Sequence, residues 1–108
     1  MAQLAKGAFD VKLAPQTLAL EDDGEGATRG RMSIDKRFHG DLDATSKGEM
    51  LTAMSGTQGS AGYVAIEKVT GTLGMRAGTF ALQHSATMTR GTPDLRIIVV
   101  PDSGTGEL

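Results

Sequence analysis

Glu67 and His84 are the residues of this 108-residue sequence whose types and spacing offer acid–base chemistry. A carboxylate and an imidazole held side by side can pass a proton between them or across a bound molecule, because histidine titrates near neutrality. The spacing brings them together if residues 61–88, AGYVAIEKVTGTLGMRAGTFALQHSATM, form one hairpin around a tight turn at Gly74 and Met75. Pairing Leu73 with Arg76 sets Val69 opposite Phe80, Glu67 opposite Leu82 and Ala65 opposite His84. Tyr63, Glu67 and His84 then lie on one face among Ala65, Val69, Phe80, Leu82 and Ala86. Residues opposite or diagonal on such a face are roughly 5–8 Å apart, so Glu67 and His84 can meet directly or through a water.

A cation is expected on the same side. Arg31 to Phe38 alternates, with Met32, Ile34, Lys36 and Phe38 on one face, and Lys36 is the charged residue on that apolar side. A three-residue loop at His39, Gly40 and Asp41 would lead into a strand from Leu42 to Met54. It predicts Phe38 opposite Leu42, Lys36 opposite Ala44, Ile34 opposite Ser46 and Met32 opposite Gly48. Small residues around the lysine stem leave room for its ammonium or for a ligand.

The other elements are also strands. Lys6 to Leu13 alternates, with Phe9, Val11 and Leu13 inward, and Ala14, Pro15 and Gln16 are expected to end it because proline cannot donate to a ladder. Leu18 and Leu20 suggest a short continuation. Glu21 to Gly30 reads as an exposed acidic loop, and Glu21, Asp22, Asp23 and Glu25 lack the spacing of a calcium loop. Ser55 to Ser60 is a connection, and Arg90 with Gly91 makes a turn. Pro93 opens the strand that carries Leu95 to Val100, apolar on both faces and so suited to burial or, through Ile98 and Val100, to a subunit contact. No window keeps apolar residues at helical spacing. Six or seven strands with short links predict an all-β fold, a meandering antiparallel sheet closed into a small β-barrel that removes exposed edges.

Composition narrows the function classes. One domain, residues 1–108, is the expectation for this length. Eleven basic and 13 acidic residues give a net charge of -2 and a pI near 5.6, with no basic run to track phosphates, so nucleic acid is not an expected partner. No stretch approaches the ~20 apolar residues of a membrane span, and MAQLAKGAFDV lacks a signal-peptide core. Cytoplasmic residence is the default. The absence of cysteine excludes disulfides and thiolate chemistry. No metal is expected, because His39 and His84 fall on different hairpins and no HxH or HExxH spacing occurs. No GxSxG elbow supports a serine nucleophile, SGTGEL at 103–108 reads as a turn, and no cofactor is indicated.

Several stretches together resemble a bacterial family known as domain of unknown function 3224. They are KGAFDV, IDKRFHGDL with SKGEML, GYVAIEKVTGTLGMRAGTFALQHSATM and VVPDSGTGEL. Lys36, Glu49, Tyr63, Glu67, Gly71, Arg76, Gly78, Phe80, Gln83 and His84 match its recurrent pattern. The resemblance implies an allene oxide cyclase-like antiparallel barrel with an interior pocket and self-association as a homo-oligomer, and no activity. It also implies a further glycine-containing segment and a final strand after SGTGEL. Incomplete closure is therefore expected over these residues, unless a neighbouring subunit supplies the rest.

Three readings follow. The first is a binding barrel for a small apolar or amphipathic molecule, with Lys36, Tyr63, Phe80, Met32 and Arg76 as ligand contacts. The second is a cofactor-independent isomerase, cyclase or hydrolase with Glu67 and His84 catalytic. The third is a solid barrel serving assembly. Against the first two stands a plain structural role: a buried Glu67–Lys36 pair that fixes register, a hydrogen-bonded His84, a packing Tyr63 and a solvated Arg76.

Overall fold

A computed structural model describes residues 4–108, so the first three residues of the amino-terminal stretch lie outside it. Seven strands follow in order: β1 Gly7–Gln16, β2 Thr28–Gly40, β3 Leu42–Met54, β4 Ala61–Leu73, β5 Arg76–Thr89, β6 Thr92–Val99 and β7 Thr105–Gly106. No helix occurs among the described residues. The strands make one antiparallel meander in the order β1-β2-β3-β4-β5-β6, with β7 pairing β5 at Gly78 and Thr79, on the edge that β6 also uses.

Turn chemistry sets the registers. In the β4–β5 hairpin, Gly74 takes φ 61°, the left-handed first position that a two-residue hairpin loop demands, and Leu73 pairs with Arg76 as the alternation predicts. Arg90 at φ 46° and Gly91 at φ 91° make the paired left-handed turn between β5 and β6.

The β2–β3 register departs from the expected one by two residues. Phe38 pairs with Ala44, Lys36 with Ser46, Ile34 with Gly48 and Met32 with Met50. The cause is visible at the strand ends. The Arg37 guanidinium donates to the carbonyl oxygens of both Phe38 (2.6 Å) and Ala44 (2.9 Å) and ties to Asp43, which straps a connection longer than three residues. A shift of two keeps parity, so every side chain stays on its expected face.

Two other expectations fail locally. β1 runs through Ala14, Pro15 and Gln16, with Pro15 paired to Met32. An edge strand tolerates this, because an outward-facing position needs no amide donor. Leu18 and Leu20 lie outside any strand. The acidic loop is organised by its own backbone: Asp22 accepts from the amides of Gly24 and Arg29, and Asp23 accepts from that of Glu25. The amides of Arg29 and then Gly24 hold the Asp22 carboxyl below the usual carboxylate range.

Among the described residues, the buried ones, Ile34, Ala44, Ser46, Ala65, Glu67, Val69 and His84, all belong to one face of the sheet. No second layer covers that face among the described residues. The sheet therefore curls over its own inner surface, as right-handed twist and closure of a meander require. Closure is incomplete, since no ladder joins β1 to β6.

Candidate functional site

Glu67 is the centre of the inner face and is fully buried. A carboxylate so placed must be compensated, because leaving an unpaired charge out of water costs several kcal/mol. Three elements supply the compensation. Lys36 of β2 donates from Nζ to Oε2 at 2.9 Å, and Ser46 of β3 donates from Oγ to Oε1 at 2.7 Å. From β5, His84 brings Nε2 to 2.7 Å from Oε2.

The register makes this meeting unavoidable. Lys36 pairs with Ser46, Ser46 with Val69, and Glu67 lies two residues before Val69 on the same face. His84 pairs with Ala65, diagonal to Glu67. Glycine provides the room: a Cβ on Gly48 would sit 2.1 Å from the Ile66 carbonyl oxygen and 2.6 Å from the Glu67 Cα. Only a residue without a side chain lets β3 pass this close to β4 beside the carboxylate.

His84 is the least settled member. Its Nε2 is close to Oε2 but its N–H direction does not line up with that oxygen, and no aligned hydrogen bond reaches it among the described residues. Burial pushes the imidazole below the ordinary histidine range, Glu67 pulls it back up, and the Lys36 charge pushes it down again. Desolvation is the largest of these, so the ring favours its neutral form. A neutral imidazole has one nitrogen able to accept a proton, and its neighbour here is a carboxylate that shares its other contacts with an ammonium and a hydroxyl. The arrangement can take up a proton at His84 beside a buried carboxylate.

Away from the carboxylate, Lys36 stands against two aromatic rings. Its Nζ lies 4.9 Å from the centroid of the Phe9 ring and 5.8 Å from that of Phe38, within reach of cation–π attraction. The two rings are tilted against each other at 5.8 Å. Beyond them opens a hollow of about 380 Å³ bordered by Phe9, Phe38, Leu42, Leu73, Phe80 and Leu82. That volume falls in the range of small-molecule sites.

The other expected contacts are distributed differently. Phe80 borders this hollow and also an adjacent one of about 630 Å³ that includes the exposed Arg76, which stands at the rim. Tyr63 lies four residues before Glu67 on β4, ~13 Å along the strand. It borders a separate hollow of about 480 Å³ with Arg29, Leu51, Val64, Asp94 and Arg96. Met32 is half-buried on the inner face between Pro15 and Met50. The structure thus unites Lys36, Glu67 and His84 and leaves Tyr63 apart. Ser46 is the residue that sequence reasoning passed over as merely small; an inward serine beside the lysine was the available signal.

The family model described as protein of unknown function (DUF3224) matches residues 5–108. Among solved structures, the chain is similar to a protein of unknown function from the DUF3224 family of Shewanella oneidensis MR-1, determined by crystallography at 1.84 Å resolution. The two share 50% sequence identity and a TM-score of 0.87, over 97% of this chain and 80% of that one. No curated protein matches.

Proposed function

The chain belongs to the DUF3224 family, and from that premise we propose that it binds a small apolar or amphipathic molecule on the inner face of its curled sheet. The observation that carries this reading is the junction at Lys36, whose ammonium pairs with the buried Glu67 and lies against the Phe9 and Phe38 rings that, with Phe80, border a hollow of about 380 Å³. Such a junction offers apolar area for affinity and a few fixed polar groups for orientation, the usual division of labour in a ligand site. Decanoate and decanol are suitable probes, because they share a chain and differ in the polar end. Saturable binding of either, lost in Phe80→Ser, is the expected result. If neither associates with the protein and nothing co-purifies in native mass spectrometry, the binding reading falls.

One observation favours acid–base chemistry as a second reading: an imidazole held neutral by burial stands 2.7 Å from a carboxylate oxygen. With Glu67 or His84 as the base, the reaction class is a cofactor-independent proton shift in a bound substrate, as in an isomerisation or cyclisation. Turnover of a bound compound that disappears in Glu67→Gln and His84→Gln, with binding retained, would support it. Equal turnover in all three proteins would remove it.

A further inference from the structure

The outer face of the sheet carries an apolar floor where alternation alone would put polar side chains. Leu51, Val64 and Ile66 point outward, on the face opposite the buried Ala65 and Glu67, and each is between 52% and 55% exposed. Leu51 pairs with Val64, and Ile66 follows two residues along β4, so the three form one patch. They floor two hollows of about 480 and 860 Å³ that share Leu51, Val64 and Ser85. The loop after β1 walls one side at Ala19, and two arginines hold it there. Arg31 donates to the Thr17 carbonyl oxygen at 3.0 Å, and Arg29 to those of Leu20 and Glu21 at 3.1 and 2.7 Å.

Charge sets this trough apart from the rest of the chain. Five basic residues border it, Arg29, Arg31, Lys47, Lys68 and Arg96, against two acidic ones, Glu49 and Asp94, on a chain of net charge -2. Arg31 is answered by Glu49 and Arg29 by Asp22, which leaves Lys47, Lys68 and Arg96 without an ion pair among the described residues. Lys47 and Lys68 stand directly opposite each other across β3 and β4, where like charges repel. They close one end of the apolar floor, and Arg96 flanks the other, since it pairs with Ser85 and Ser85 with Val64.

Shape and sign together select the occupant. A small molecule lying on half-exposed side chains keeps much of its surface in water, whereas ligand sites bury about 70–90% of it. A protein segment brings its own cover, and apolar patches with a polar rim are where such segments dock. The free cations require that segment to be acidic. An anionic membrane is the poorer match, because Glu21, Asp22, Asp23 and Glu25 stand on the walling loop and would meet head groups of their own sign.

We propose that the outer face of β3, β4 and β5 docks an extended acidic segment of another protein, its apolar residues on Leu51, Val64 and Ile66 and its carboxylates on Lys47, Lys68 and Arg96. Val64 and Lys68 lie ~13 Å apart along β4, so a segment that presents acidic and apolar side chains in turn on one face matches the trough. The trough is on the face opposite the Glu67 network and does not rest on the ligand reading.

A fluorescent peptide of repeating Glu-Ser-Ile-Ser mimics the segment, and Lys-Ser-Ile-Ser is its reversed-charge control. Saturable binding of the acidic peptide by anisotropy is expected, weakening as salt rises, with none of the basic one. Lys47→Glu with Lys68→Glu should weaken it about tenfold or more and let the basic peptide bind in its place. Ile66→Ser should weaken it about fivefold through lost apolar contact. Lys6→Gln, which removes the same charge beside the β2–β3 turn, should leave it unchanged. All these side chains are exposed, so the variants keep the fold, and their urea midpoints verify it. Failure of the acidic peptide to bind, or equal binding of both peptides, overturns the proposal. So does co-sedimentation with phosphatidylserine vesicles that depends on Lys47 and Lys68, which gives the face to a membrane. A dimer that the lysine substitutions dissociate overturns it too, by giving the face to a second copy. Decanoate and decanol report on the inner hollow alone, so either result can fail without the other.

Discussion

The centre and the margins of this sheet obey the same alternation and meet different fates. Val69 on β4 and Val99 on β6 both point to the inner face, but Val69 is fully buried and Val99 is 56% exposed. Val69 has paired strands on either side, whereas Val99 has Leu82 on one side and no strand on the other. Sequence pattern decides which way a side chain points; neighbours decide whether water leaves it. A small sheet therefore concentrates its stability, and its costly polar network, in the strands that are flanked twice.

The comparison can be broken most sharply at Glu67. Glu67→Ala should cost ~3–5 kcal/mol in urea unfolding, because it leaves a buried ammonium without its counter-charge. Glu67→Leu together with Lys36→Met should recover much of that loss, since an apolar pair of similar volume often matches a buried ion pair. If E67A unfolds at the wild-type urea midpoint, the network contributes nothing and the centre is no different from the margin.

Valine truncation sharpens the contrast. Val69→Ala should cost about 2 kcal/mol and Val99→Ala about 0.5, since the cost follows the apolar area removed from water and the cavity left. Equal losses would show that the two strands are equally covered in solution.

Acid should act through the centre as well. The His84 imidazole is held below its ordinary value, so the unfolded chain takes up this proton more readily than the folded one. Stability is then complete above the unfolded pKa of roughly 6.5 and declines as pH falls from there towards the lower folded value. His84→Gln should flatten this part of the urea-midpoint profile, and an unchanged slope would assign the titration elsewhere. The smallest effect is expected at the solvent-exposed Arg31–Glu49 pair, which the outer face holds at 2.7 Å. Arg31→Gln should leave the midpoint within error, as screened surface pairs commonly do.

The parts that could be read from sequence were those governed by parity and by short turns. The Gly74–Met75 turn admits one register, so the facing of Glu67 and His84 followed from counting. The β2–β3 connection is held by Arg37, a long side chain reaching across to carbonyls on both strands, and no local propensity announces such a strap. Lys36 still arrived inside because the error was even. Ser46 gained its partner from the same shift, which is why the site shows a hydroxyl where the simpler loop would have put Ala44. Pro15 was misread because a proline ends a central strand but not a marginal one, and strand order is a property of the whole sheet.

That proline bears on how the protein survives having bare margins. An exposed ladder invites any extended chain in solution, and indiscriminate stacking is the route to aggregates. Pro15, lacking an amide hydrogen, interrupts the outer row of donors near the far end of β1, so an arriving strand finds a template only along the part that starts at Gly7. Replacing it would lengthen the sticky border, and the first sign would be turbidity on storage, well before any loss of folded structure.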